Sequence, residues 1–343
     1  MNEMTQLEHL RSEIPRPDLA DLRAQEERLL AAIADPAPVR RLERAGMRPR
    51  TVQRLRLSFA AGLAAAAVAA GVMVVAVDSE PGAPPTPHMM PVKAEMVLTR
   101  AAENATMFPE LHPKPGQFLV FESQTMNTVG GSSTFLARSK RKVWLPVEGD
   151  STGGFIESEE LAPSAYPGWP LPPEAWENLG HHGPEKLGDF DDRVEYLRTD
   201  FAYLSRLPTE PAKMYQHLYT GLTHGAEADA EAWDRVGAML AEAYLPAAQR
   251  AALFRAAAAI PGVTTVGKAV DAAGRTGVAA ARVNPWLGVR DEYIFDRATY
   301  RYLGVRSVVV NADQAKAPVG SVLTSSALLK VSVADQAPAV NGH

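Results

Sequence analysis

The chain has no cysteine in its 343 residues. That excludes disulfides, a Cys-bearing zinc site, thiol catalysis and a lipidated cysteine. It leaves the compartment open, because a large core folds outside a cell without disulfides. Basic charge is also in deficit. The net charge is −5 with a pI near 5.9, so the whole molecule is not built to hold nucleic acid. No P-loop, GxGxxG or HExxH pattern occurs, and with them go the commonest signatures of nucleotide and zinc-protease chemistry. What remains is ordinary for a globular protein, at 46% hydrophobic and 22% charged. The length allows two or three units.

The strongest positive feature is Leu57–Val77, 21 residues without a charge. At 1.5 Å per residue such a helix is about 30 Å long, the thickness of a hydrocarbon core. Its hydrophobicity is moderate, since nine residues are Ala and five are Val. Residues 36–56 before it hold seven Arg, among them Arg48, Arg50, Arg54 and Arg56, against the single acid Glu43. The other flank opens Asp78, Ser79, Glu80. The positive-inside rule then puts the N-terminus in the cytoplasm and everything after Val77 outside, a signal-anchor topology in the cell membrane. The Arg run is better explained by this topology and by contact with membrane lipid than by nucleic acid.

Residues 1–35 form a short acidic unit with eight acids and four Arg. Leu22, Leu29, Leu30 and Ile33 fall at helical spacing and make a narrow apolar stripe. Two short helices bury no core of their own, so this stripe is the candidate partner-binding surface in the cytoplasm. Residues 78–91 follow the span and include five prolines between Pro81 and Pro91, which reads as a stiff stalk. Residues 92–343 are then left for an extracytoplasmic domain.

In that domain the apolar pattern gives a helix near 96–107, strands at 116–125 and 134–147, and a possible continuation at 153–157. A long Pro, Gly, Trp and His-rich loop is read at 160–185. Helices follow at 208–219, 226–244 and 246–260. Strands are read at 263–266, 268–272, 277–283, 290–295, 301–310 and 320–333. Helix, strands, helices, strands in that order implies an α+β fold with a meandering antiparallel sheet covered by helices.

Candidate chemistry is thin. GDSTGG at 149–154 has the look of a serine-protease nucleophile box, but no suitably placed base histidine precedes it; it reads as a Gly-rich turn. His181 and His182, with Glu185 and Asp189 near, are metal-capable residue types, but adjacent side chains in an extended segment point apart. Asp189, Asp191 and Asp192 lack the glycine and distal Glu of a calcium loop. Asn104 opens a glycosylation sequon on an expected helix. Tyr166, Trp169 and Trp176 form either a binding lip or a loop pinned by its aromatics. No catalytic, cofactor or metal residue is therefore assigned.

Two stretches carry a family resemblance. LRSEIPRPDLADLRAQEERLLAAI (10–33), with the Arg cluster and the Ala/Val-rich span, resembles actinobacterial single-pass membrane proteins often encoded beside extracytoplasmic-function sigma factors. IPGVTTVGKAVDAAGRTGVAAARV (260–283) and EYIFDRATYRYLGVRSVVV (292–310) resemble the C-terminal sheet of those proteins. More distantly they are similar to the half-barrel of LolA- and RseB-type proteins, which bind lipoproteins or sigma regulators in the cell envelope. The resemblance implies a half-barrel and a role in envelope regulation or sensing, and it supplies no catalytic residues. One departure is Asp296–Tyr300, DRATY, where the family tends to have D-P-x-T-G, so this turn is expected to be built differently.

The leading expectation is thus a membrane-anchored, non-enzymatic regulator or sensor. Its cytoplasmic helices would meet a sigma factor or other regulator, and its outer domain an apolar envelope ligand. A lipid- or lipoprotein-binding carrier is the alternative, and an envelope hydrolase with an unrecognised site is a third.

Overall fold

The computed structural model describes residues 92–130, 134–149, 153–188 and 194–340. The expected cytoplasmic stripe, basic flank, membrane span and stalk all lie outside the described residues. No helix among the described residues is long and apolar enough to cross a membrane.

The described chain opens with helix α1 (Val92–Asn104) and strands β1 (Phe118–Val129), β2 (Phe135–Pro146), β3 (Phe155–Ala165) and β4 (Gly180–Lys186). Four helices come next: the single turn α2 (Phe201–Leu204), α3 (Pro211–Leu218), α4 (Ala226–Leu240) and α5 (Ala247–Ala258). The C-terminal part is β5 (Thr264–Val270), β6 (Thr276–Asn284), β7 (Val289–Phe295), β8 (Tyr302–Val309), the turn α6 (Ala312–Ala315) and β9 (Val322–Ala334). All nine strands join one open antiparallel sheet in the order β4-β3-β2-β1-β9-β8-β7-β6-β5. It is two meanders, and β9 is the seam between them. Pairing runs Phe118 to Ala334 on one side of β9 and Arg306 to Ser325 on the other.

The expected loop at 160–185 is corrected: β3 runs to Ala165, and β4 forms the sheet edge. Likewise the two strands read at 263–266 and 268–272 are one, β5, with a register shift after Val266. The helix and strand order, and the antiparallel meander, are as read from the pattern.

The helices bury their apolar stripes together on one face of the C-terminal meander. Val97, Leu98, Ala101, Ala102 and Ala105, four-residue-spaced pairs along one side, face α5, whose alanines let the two axes approach. Trp233, Val236 and Met239 of α4 meet Ala280 and Tyr293 of the sheet. Trp233 stacks on Tyr293 at 4.4 Å, and the Tyr293 hydroxyl donates to the Trp233 carbonyl at 2.6 Å. At Gly237 a Cβ would stand 2.6 Å from that hydroxyl oxygen, so only glycine permits this contact. Ends that lack local caps borrow remote ones. Glu110 accepts from the first amide of α5 (2.7 Å), and Arg250 donates to Ala105 at the end of α1 (2.7 Å).

The opposite face of the C-terminal meander is closed by the sheet itself. Small residues, Ala269 and Ala279, pack with Ile294 and Leu303. Arg275, in the turn between β5 and β6, donates to Leu303 (2.8 Å) and Leu328 (2.9 Å). Those carbonyls lie where the registers of β8 and β9 shift. Gln124 of β1 reaches the same turn at Ala272 (2.7 Å). The β5–β6 hairpin therefore folds back over β8, β9 and β1, and the groups freed by the bulges are satisfied by it.

The β7–β8 turn answers the DRATY departure. Asp296 accepts from the Ala298 and Thr299 amides and from the Thr299 hydroxyl at 2.8–3.0 Å. These bonds hold its carboxyl below the usual range. Tyr300 takes φ 54°, the left-handed region, in place of the family pattern's glycine. Its ring lies 5.8 Å from the Arg100 guanidinium.

Candidate functional site

The sequence candidates disperse. Gly149 and Gly153 have φ of 77° and 81°, the turn geometry expected of GDSTGG. His181 and His182 sit on β4 and point apart: His181 pairs with Glu157 (3.0 Å), and His182 contacts the Asn178 carbonyl (2.9 Å). Among the described residues no cluster suited to a metal ion is present. Asp189, Asp191 and Asp192 fall outside them. The Asn104 amide donates to Thr299 (3.0 Å) and ties α1 to the β7–β8 turn.

A cleft that sequence reading missed opens beside α2 and α3. It is about 330 Å³ in volume and is lined by Glu195, Tyr203, Arg206, Leu207, Pro208 and His217. Its walls follow from local capping. Asp200 is buried, caps α2 by accepting from the Tyr203 amide (2.9 Å), and is held by Arg198 (2.8 Å). Arg235 of α4 donates to the Leu218 (3.1 Å) and Thr220 (2.7 Å) carbonyls past the end of α3. Its guanidinium also lies 5.1 Å from the Tyr196 ring. The Tyr203 and His217 rings are 6.0 Å apart. Burial, then the Arg235 charge, lowers the His217 pKa, so its imidazole is neutral at pH 7. Its Nε2 is buried with no hydrogen-bond partner among the described residues. This is a mixed polar and apolar cleft. It offers a carboxylate, a guanidinium and a neutral imidazole to a small ligand. Nothing in the pattern of 194–217 announced it, because its residues come from a 3-10 turn at Glu195, from α2 and the segment after it, and from α3.

Elsewhere the buried charges are structural. Tyr219 donates to Asp229 at 2.6 Å. Glu292 is fully buried between Arg290 (2.5 Å) and Arg306 (2.8 Å). Asp291 accepts from the Ser307 hydroxyl. Asp234 of α4 is pushed up to about 7 by burial, then by the charges of Asp291 and Glu231, against the pull of Arg282. The Ser123 hydroxyl donates to Glu242 (2.7 Å), whose other oxygen meets Arg141 (3.3 Å). Among the described residues the trio is a hydroxyl, a carboxylate and a guanidinium, without an imidazole in its hydrogen bonds.

The aromatic loop is pinned to the fold at one of its three aromatics. Tyr166 is buried, and its hydroxyl donates to the Ala315 carbonyl (3.2 Å), pinning the loop. Trp169 and Trp176 stay exposed.

No protein-family model matches the chain, and no curated protein matches it. Among solved structures it is similar to a chain in the complex of Pseudomonas aeruginosa MucA/MucB, with 14% identity and a TM-score of 0.25, over 72% of this chain and 58% of that one. A structure of MucB in complex with MucA(peri) matches at 13% identity and the same TM-score, over 72% and 57%. The chain thus spans under three fifths of the length of the chains it matches. A likeness at this distance says nothing of ligand or partner.

Proposed function

We propose that the chain is a single-pass, membrane-anchored envelope protein, a non-enzymatic regulator or sensor. Its cytoplasmic segment meets a sigma factor or another regulator, and its sheet domain stands outside. The observation that carries this reading is the uncharged run Leu57–Val77 with seven Arg before it and a folded antiparallel domain after it. Half-barrel curvature fits the contact of Tyr166, at the end of β3, with Ala315 beyond β8. In a flat sheet the four strand spacings from β3 to β8 would separate them by roughly 19 Å. The carrier alternative needs a helix-facing apolar cavity. Over the C-terminal meander that face is filled instead by α1, α3, α4 and α5.

The full chain captured from detergent-solubilised membranes tests the reading. Wild type is expected to retain a cytoplasmic regulator that the pair Leu29→Asp plus Leu30→Asp loses. A reporter enzyme active only outside the membrane is expected to work when fused after residue 90 and to fail at residue 35. Identical captures, or the reverse reporter pattern, remove the regulator reading.

A further inference from the structure

The two ends of the sheet differ in chemistry. At one end lie the turns Asp271–Arg275 and Asp296–Arg301, with Glu148, Lys114 and Asp335 close by, all charged and hydrogen-bonded. At the other end lie the loop after β3, the β6–β7 turn and the α6 segment between β8 and β9. These carry three of the protein's five tryptophans, all exposed: Trp169 at 56%, Trp176 at 49% and Trp286 at 49%. Leu179, Leu287 and Val319 are exposed beside them. Trp144 and Trp233 are buried.

These side chains form one ridge on stiff supports. Trp169 closes a turn on the Tyr166 carbonyl (2.9 Å), and Tyr166 is bonded to Ala315. Trp176 ends the 3-10 turn Pro173–Trp176, whose Ala175 is buried. Trp286 and Leu287 sit on a turn in which Asn284 accepts from both amides (3.2 Å each). Gly288 of that turn accepts from Val310 and Asn311, next to α6. The α6 segment thus bridges the two tryptophan loops. Aromatics held this way lose little freedom on docking.

We propose that this end of the sheet docks on the surface of a lipid bilayer, with the three indoles at the headgroup boundary. Trp prefers that boundary, where its ring meets hydrocarbon and its N–H meets water. The loops carry Glu174, Glu177 and Asp313 against Lys316 alone, so anionic lipid is not the attraction, and a zwitterionic surface suffices. The proposal rests on the anchor reading for proximity. Between Val77 and α1 the chain has fourteen residues. At about 3.1 Å each in an extended Pro-rich form they reach about 43 Å, which holds the domain within touch of the membrane that contains its span.

The full chain reconstituted in vesicles of brominated phosphatidylcholine provides the test, with flotation as one readout and tryptophan quenching as the other. Wild type is expected to float and to lose about half of its emission to the bromines, independent of salt. The triple variant Trp169→Ser, Trp176→Ser, Trp286→Ser is expected to float equally, keep its circular dichroism and show almost no quenching. Flotation without quenching in wild type overturns the docking and leaves the anchor standing. Failure to float overturns the anchor, and quenching by added vesicles at millimolar lipid then decides the docking alone. Protection of the same tryptophans from iodide by a soluble glycan or protein, with no quenching by lipid, assigns the ridge to that occupant and overturns the bilayer.

Discussion

At the scale of single residues, the unusual positions are those where a side chain endures an unfavourable state for the packing around it. Tyr300 and Glu242 take positive φ, at a cost of about 1–2 kcal/mol for a non-glycine residue. Each gains a contact in return: Tyr300 with Arg100, Glu242 with Ser123 and Arg141. Asp234 is the clearest case with a measurable pH signature. Its folded pKa of about 7 stands above the unfolded value of 3.8. Below pH 4 both states hold the proton and nothing is lost. Between pH 4 and 7 the unfolded chain releases it first, so stability falls as pH rises through that window, then levels off. Asp234→Asn is expected to remove that slope and to stabilise the domain at pH 8 by an amount on the order of 1–3 kcal/mol. Thermal melts of both proteins at pH 5 and pH 8 check it. Equal gains at the two pH values would mean that the carboxyl is solvated.

At the scale of elements, buried ion pairs and short caps fix where strands and helices end. Glu292 is central, with no exposed side-chain surface and two arginines upon it. Glu292→Gln leaves those charges poorly compensated inside the rolled meander. It is expected to cost about 3–5 kcal/mol in urea unfolding without changing the m-value. The long elements were legible from sequence: α4 by its apolar spacing, α5 by Pro246 at its start and Pro261–Gly262 after its end, β6 to β9 by the turns at Gly274, Asn284–Pro285 and Asp296. The edge strand β4 was not. β4 reads Gly180–His181–His182–Gly183–Pro184–Glu185–Lys186, almost wholly exposed and without an apolar set. It is held by backbone pairing and by the bond of His181 to Glu157, and neither leaves a periodic trace. The cleft was hidden for a related reason. Its lining, from Glu195 to His217, comes from short neighbouring elements whose mixed polar and apolar residues follow no period. The GDSTGG turn, in contrast, was readable because glycine itself signals the φ that the turn requires.

At the scale of the whole molecule, β9 is the strand that joins the two meanders into one sheet, because it pairs with both. β9 carries Leu328, Val331 and Val333 against Leu119 and Phe121, and it receives Arg275 from the far hairpin. Truncation after residue 321 is therefore expected to abolish cooperative unfolding in both halves, with hydrogen-exchange protection lost in β1 and β2 as well as β7 and β8. Removal of residues 336–343 is expected to leave the melt unchanged. A surviving cooperative unit in 264–309 would show that the halves fold separately. The seam also imposes an order on biosynthesis. Phe118 finds its partner Ala334 only after every element between them has been synthesised. Until then β1 presents an open flank to any other strand nearby. Such distant pairing folds slowly and exposes intermediates to aggregation. The nascent domain thus depends on protection of β1 for as long as the following two hundred or so residues take to appear, at about 5–20 residues per second.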